Sequence, residues 1–174
     1  GSLTRGQDAN PHQVAQRLAE ATGGTATVMP GPFMADSAGE RERLAAEAEI
    51  AEAFERARGS DLMLVGIGAV GPDAELARSG MVTPPEMEAI VAAGAVGEVL
   101  GHFFDAGGRP VRTDATDRIL TLSLEELTGR RILAVAGGTV KTDAVHAALR
   151  SGLLGGLVTE ERTARTIIDR TRDE

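Results

Sequence analysis

The chain has no cysteine, no tryptophan and no tyrosine, and only four phenylalanines in 174 residues. Lack of cysteine excludes disulfides, thiol nucleophiles and thiolate metal sites. Lack of aromatic side chains leaves almost nothing from which to build a stacking platform for bases or an aromatic floor for a sugar ring. Basic charge is also short. Eighteen Lys and Arg against 26 Asp and Glu give a net charge of −8. The basic residues are dispersed apart from Arg130-Arg131, so the chain carries no broad electrostatic footprint for nucleic acid. No apolar run approaches membrane-spanning length and no signal peptide is visible, so no membrane partner and a cytoplasmic location are expected.

What is present is ordinary globular material: 42% hydrophobic and 25% charged residues, enough for one domain spanning 1–174 with a core of Ala, Leu, Val and Ile. Asn10-Pro-His-Gln13 has the residue types of a helix start, and the helix should stop at Gly23-Gly24. Thr25–Met29 reads as a short strand ended by Pro30-Gly-Pro32. Residues from about Gly39 to Arg58 read as one helix. Asp61-Leu-Met-Leu-Val-Gly-Ile-Gly68 is nearly continuous in apolar residues, the pattern of a strand buried on both faces of a parallel sheet. Thr83-Pro-Pro-Glu86 is a capping box opening a helix to Gly94. Ala95–Phe104 reads as a strand with a bulge or bend near Gly97 or Gly101, and Asp105-Ala-Gly-Gly108 as a turn. A short strand at Ile119–Leu122, one capped helical turn at Ser123-Leu-Glu-Glu126, a strand at Gly156–Val158 and a last helix from about Glu160 to Arg170 follow. This alternation predicts an α/β fold with a largely parallel sheet flanked by helices.

The segment richest in chemistry is Arg131-Ile-Leu-Ala-Val-Ala-Gly-Gly-Thr-Val-Lys141, which reads as strand, glycine turn and helix start. Such a turn can aim backbone N–H groups at an anion, with a helix dipole and an ammonium beside it; it can equally be no more than a tight corner. Ligands in open α/β sheets collect beyond the carboxyl ends of strands. Two such ends are glycine-rich, Gly66-Ile-Gly68 and Gly137-Gly138, and if their strands are neighbours Arg78 and Lys141 can converge on one anion. Glu98 sits among apolar neighbours and needs a partner, either sugar hydroxyls or a structural arginine. Asp105 stands between a turn-forming role and a place facing the crevice. The three histidines, His12, His102 and His146, have no metal-ligand spacing, so no metal or other cofactor is implied. The serines lack a nucleophile-elbow context and the glycines lack a dinucleotide fingerprint.

The order of several short pieces resembles the effector-binding domain of the SorC family of bacterial sugar-responsive transcriptional regulators. They are Asn10-Pro…Val14-Ala…Leu18-Ala…Thr22-Gly-Gly24, Leu64-Val-Gly-Ile-Gly68, Arg78-Ser-Gly80, Gly94-Ala-Val-Gly97, Phe103-Phe-Asp105 with Gly107, Ile132–Gly138 with Lys141, and Leu157-Val-Thr159 with Thr163-Ala164. The resemblance implies a three-layer fold similar to the ribose-5-phosphate isomerase, glucosamine-phosphate deaminase and CoA-transferase group. It also implies a phosphorylated sugar or polyol derivative as effector, bound without turnover, and a homo-oligomer (dimer or tetramer). DNA would be met only through an N-terminal helix-turn-helix, which does not precede Gly1. On the family pattern Arg78, Glu98 and Lys141 contact ligand, and the Gly66–Gly68 and Gly137–Gly138 loops line the same crevice. Lys141 and Arg78 are thus expected to serve ligand affinity rather than stability. The family's first strand is missing or reduced to Gly1-Ser-Leu-Thr-Arg5, which leaves the part of Thr4 and Arg5 open. The alternative class is a sugar-phosphate isomerase or deaminase of the related fold group.

Overall fold

The computed structural model describes residues 11–173; the expected Asn10 cap and the Gly1–Arg5 segment lie outside them. Helix α1 (Pro11–Thr22) ends at Gly23, whose φ of 68° is the left-handed stop that glycine supplies. The strand expected at Thr25–Met29 does not form. Among the described residues that stretch pairs with no strand, and Thr27 instead accepts a bond from Arg56 Nη1 at 3.1 Å. The single helix expected over 39–58 is two, α2 (Ala38–Ala45) and α3 (Ala48–Arg58), separated where Glu47 turns to extended backbone. The break lets α3 bury Ile50 and Phe54, while α2 buries nothing.

Two sheets form rather than one. Strands β1 (Met63–Val65), β6 (Ile132–Val135) and β7 (Gly156–Val158) are parallel in the order β1-β6-β7. Strands β2 (Gly68–Ala69), β3 (Ala95–Val99), β4 (His102–Asp105) and β5 (Pro110–Val111) make an antiparallel sheet in chain order. The expectation of a largely parallel sheet is therefore corrected to a mixed α/β fold with a three-stranded parallel sheet. The cause is local. Leu100 (φ 53°) and Gly101 (φ 81°) are both left-handed, the backbone of a two-residue hairpin turn. They fold Ala95–Phe104 back on itself, and the expected bulge falls between Ala95 and Gly97. Leucine is an unfavourable residue at such a φ; Thr121 Oγ1 holds it by donating to Leu100 O at 2.6 Å.

Helix α5 (Pro84–Ala92) carries the expected Thr83/Glu86 capping box, and α6 (Leu124–Leu127) the Ser123/Glu126 one. The expected strand at Ile119–Leu122 is reduced to one antiparallel bridge between Met34 and Ile119. Helices α4 (Glu75–Arg78), α7 (Thr142–Arg150) and α8 (Glu161–Asp173) complete the fold. Adjacent residues of β4 point to opposite faces, so Phe104 enters a core with α7, α3 and the parallel strands, while Phe103 enters a second core with Met87 and Ile90 of α5. Among the described residues, one face of the parallel sheet is the better covered. Leu64, Val135 and Val158 on the other remain 52%, 49% and 52% exposed, against the two-sided burial expected for β1.

Candidate ligand site at the carboxyl ends of the parallel strands

Strands β1 and β6 are neighbours, with Val65 opposite Ala134. The loops Gly66-Ile-Gly68 and Gly137-Gly138 therefore leave the sheet at one edge, and Thr159-Glu160, after β7, leaves at the same edge. Gly138, at φ 104° and ψ 134°, adopts a conformation that side-chain-bearing residues avoid. From it a 3₁₀ turn over Thr139–Lys141 leads directly into α7.

Lys141 ties the two loops together. Its Nζ donates to Ile67 O at 3.0 Å. Glu98, across the β2–β3 ladder from Gly68, lies near enough for its ionised form to feel the Lys141 charge. A Cβ at Gly68 would stand 2.6 Å from Glu98 Oε2, so it is the missing side chain at Gly68 that lets this carboxylate lie against the loop. Glu98 Oε1 accepts from Gly101 N at 2.5 Å. Burial pushes the Glu98 carboxyl up from its ordinary value, against the opposing pull of the Gly101 N–H and Lys141. The structure thus brings Gly66, Gly68, Glu98, Gly137, Gly138 and Lys141 to one edge, with the Glu98 carboxyl in range of the Lys141 charge.

The two other expected residues have partners outside this group. Arg78, exposed at the end of α4, pairs with Glu75 at 2.5 Å. Asp105 accepts from Gly107 N and Arg109 N, both at 2.9 Å, and pairs with Arg109; these bonds hold its carboxyl below the ordinary range, the Arg109 backbone N–H first. Its turn abuts the other end of α7, where Gly108 meets the backbone of Arg150 and Ser151. The length of α7 places that end about 14 Å from Lys141. The bonds of Asp105 are those of a turn-forming aspartate. His102, half-buried, donates from Nε2 to Leu122 O at 2.7 Å, as a packed strand residue would, and burial lowers its pKa. Among the described residues no group of His, Asp and Glu is arranged to hold a metal, and no helix is long and apolar enough to cross a membrane.

Sequence reasoning missed Glu160. Its Oε1 accepts from Gly138 N at 2.8 Å and from Thr163 Oγ1 at 3.0 Å, so one of the backbone donors expected to face a ligand already has an acceptor. Thr159 Oγ1, the preceding hydroxyl, is buried with no hydrogen-bond partner. A hollow of about 250 Å³ lined by Pro30, Gly31, Leu44, Glu47, Ala48, Glu49 and Ile50 lies between other elements and includes none of these groups. It has no cation to hold an anion, and the strand-end edge is the better candidate.

A family model described as "Putative sugar-binding domain" matches residues 1–169. The chain belongs to this family. The erythritol catabolism regulatory protein EryD of Brucella abortus is 47% identical over 168 residues, covering 97% of this chain and 53% of that protein. The transcriptional regulator LsrR of Klebsiella pneumoniae is 39% identical over 146 residues, covering 82% and 45% respectively. The chain spans about half the length of these curated relatives. Among solved structures, the sugar-binding domain of a transcriptional repressor from Vibrio fischeri matches with a TM-score of 0.82 at 27% identity, over 94% of this chain and 66% of that one. The resemblance to sugar-responsive transcriptional regulators drawn from the sequence therefore holds.

The raised pKa of Glu98 has a thermodynamic consequence. A carboxyl whose folded pKa exceeds its unfolded value supports the fold fully below the unfolded value, and that support is lost as pH rises through the folded pKa. Glu98→Gln removes the titration and retains an acceptor for Gly101 N. We expect the melting temperature of the wild type to fall more than that of the variant between pH 4 and pH 8. Parallel profiles would show that Glu98 is not the group that burial perturbs.

Proposed function

We propose that this family member is the effector-sensing domain of a bacterial transcriptional regulator. It binds a phosphorylated sugar or polyol derivative at the Lys141–Glu98 edge without turnover and controls operator binding by the longer polypeptide. The observation that carries this reading is the Lys141 bridge between the β1 and β6 loops, beside the Glu98 carboxylate. An ammonium serves an anionic or hydroxyl-bearing ligand, and a carboxylate accepts from sugar hydroxyls. Arg78 belongs to the proposal as a residue that reaches the ligand from α4 after exchanging its Glu75 partner. Kinship of the fold with the isomerase, deaminase and CoA-transferase group belongs to it too, supported by a ligand seat at the ends of parallel strands.

Turnover is not part of the proposal. The relatives are named as regulators, and the edge holds no histidine to move a proton, which leaves the isomerase or deaminase alternative unsupported. Homo-oligomerisation is part of it: a sugar changes operator affinity only if it binds one assembly state better than another. The name of the Brucella relative, an erythritol catabolism regulatory protein, supports testing four-carbon polyols and their phosphates first. Thermal shift of this chain against sugars, polyols and their phosphates is the test. A ligand at a hundred times its Kd should stabilise the domain by about 2.7 kcal/mol and be recovered unchanged. Conversion of the ligand to an isomer or a deaminated product would replace the sensor reading with the enzyme one.

A further inference from the structure

The donor N–H of Gly138 is occupied by a carboxylate belonging to the protein itself. Glu160 approaches from the start of α8, and its Oε1 is shared between Gly138 N (2.8 Å) and the hydroxyl of Thr163 (3.0 Å). Thr163 is fully buried, which anchors one side of that oxygen. Gly137 lies beside the same side chain: a Cβ there would meet Glu160 Cγ at an ordinary contact distance of 3.5 Å. The glycine pair therefore already receives an anion from within the chain, twenty-two residues further along. Among the described residues two carboxylates, Glu98 and Glu160, stand near the edge with the ammonium of Lys141.

We propose that Glu160 is an internal competitor for the glycine-loop amide and sets the selectivity of the site, holding down its affinity for the anionic end of a ligand while leaving uncharged polyols unaffected. This rests on the ligand site proposed above. A phosphate seated at Gly138 N–H must displace the carboxylate and works against its charge at a separation of a few ångströms. A neutral polyol meets no such opposition and finds two acceptors for its hydroxyls. Glu160 is thus a specificity determinant acting by occupancy and repulsion, in addition to any capping of α8 through Thr163.

Glu160→Gln separates these roles, because the amide oxygen still accepts from Gly138 N and Thr163 Oγ1 while the charge is gone. Calorimetric titration with inorganic phosphate, ribose 5-phosphate and erythritol is the experiment. Glu160→Gln should bind the two phosphates roughly tenfold more tightly than the wild type and erythritol within about twofold of it. The control is Glu161→Gln, the same charge change at the adjacent, exposed partner of Arg165, which should leave all three affinities unchanged. Equal phosphate affinity in wild type and Glu160→Gln overturns the proposal, as does an equal gain in Glu161→Gln or binding of neither phosphate to any variant. Adding Lys141→Ala to the Glu160→Gln chain distinguishes the two levels. If phosphate binding is indifferent to Lys141, the ligand site itself is misplaced. If it depends on Lys141 but not on Glu160, only the competitor is lost.

Discussion

Gly97→Ala should destabilise the domain by about 2–3 kcal/mol, the range of overpacking in a closed core. A Cβ at this position of β3 would lie 2.8 Å from both Cα and O of Ala144 and 3.1 Å from its Cβ. Ala144 is on the inner face of α7, with Val145, Ala147 and Ala148 around it all but fully buried. Two of the three close atoms are helix backbone, so no rotamer change relieves the contact and β3 must move away from α7. In a domain of this size the loss corresponds to a fall in melting temperature of roughly 5–10 °C. Because the clash is with backbone, Ala144→Gly in the same chain should rescue little of it. The displacement also reaches the site, since Glu98 follows Gly97 on β3 and Lys141 precedes α7. Ligand affinity should drop even where the variant remains folded. A change in stability below about 0.5 kcal/mol, the scale of an innocuous surface substitution, would mean that β3 and α7 are not in such close contact.

The parts of this molecule that local chemistry controls were readable in the sequence. Both capping boxes need only residues three apart, and they form as read at Thr83/Glu86 and Ser123/Glu126. The Arg131–Lys141 segment combines an apolar run, a glycine pair and the start of an amphipathic helix, all contiguous, and it folds accordingly. What escaped depends on distant partners. The hairpin at Leu100-Gly101 has leucine where a turn signal would have glycine or asparagine, and is held by Thr121 from a later loop. Thr25–Met29 has strand composition yet finds no sheet edge. The Glu47 break between α2 and α3 has no proline or glycine to mark it.

The candidate site follows the same division. Glycines at strand ends are visible in the sequence, as is a lysine after them. That Glu98 comes to rest against Gly68 depends on β2 leaving β1 and pairing with β3, which no local pattern encodes. Glu160 looked like the first residue of a helix and nothing more, because its partner Gly138 is remote in sequence. Asp105 carried a turn signal, Asp-Ala-Gly-Gly, and its carboxylate makes the turn bonds which that signal predicts.

Lys141→Ala should weaken binding of a sugar phosphate by about 1.5–3 kcal/mol, the scale of a charge-assisted hydrogen bond, which is roughly a 10- to 150-fold loss of affinity. The sequence led to the expectation that stability without ligand would be unaffected. The structure changes that expectation. Nζ also donates to Ile67 O, and its charge opposes the burial that raises Glu98. Removing it leaves a carbonyl short of one donor and a half-buried carboxylate without its cation, so the unliganded domain should lose about 1 kcal/mol. The second part of that loss should grow with pH, as Glu98 ionises, and should vanish when Glu98→Gln is added. The two effects are separable by measurement: melting temperatures without ligand across pH for the single and double variants, and titration with the tightest-binding sugar phosphate at one pH. Normal affinity in Lys141→Ala would remove the β1–β6 bridge from the binding site and leave Lys141 a purely structural tie between the loops.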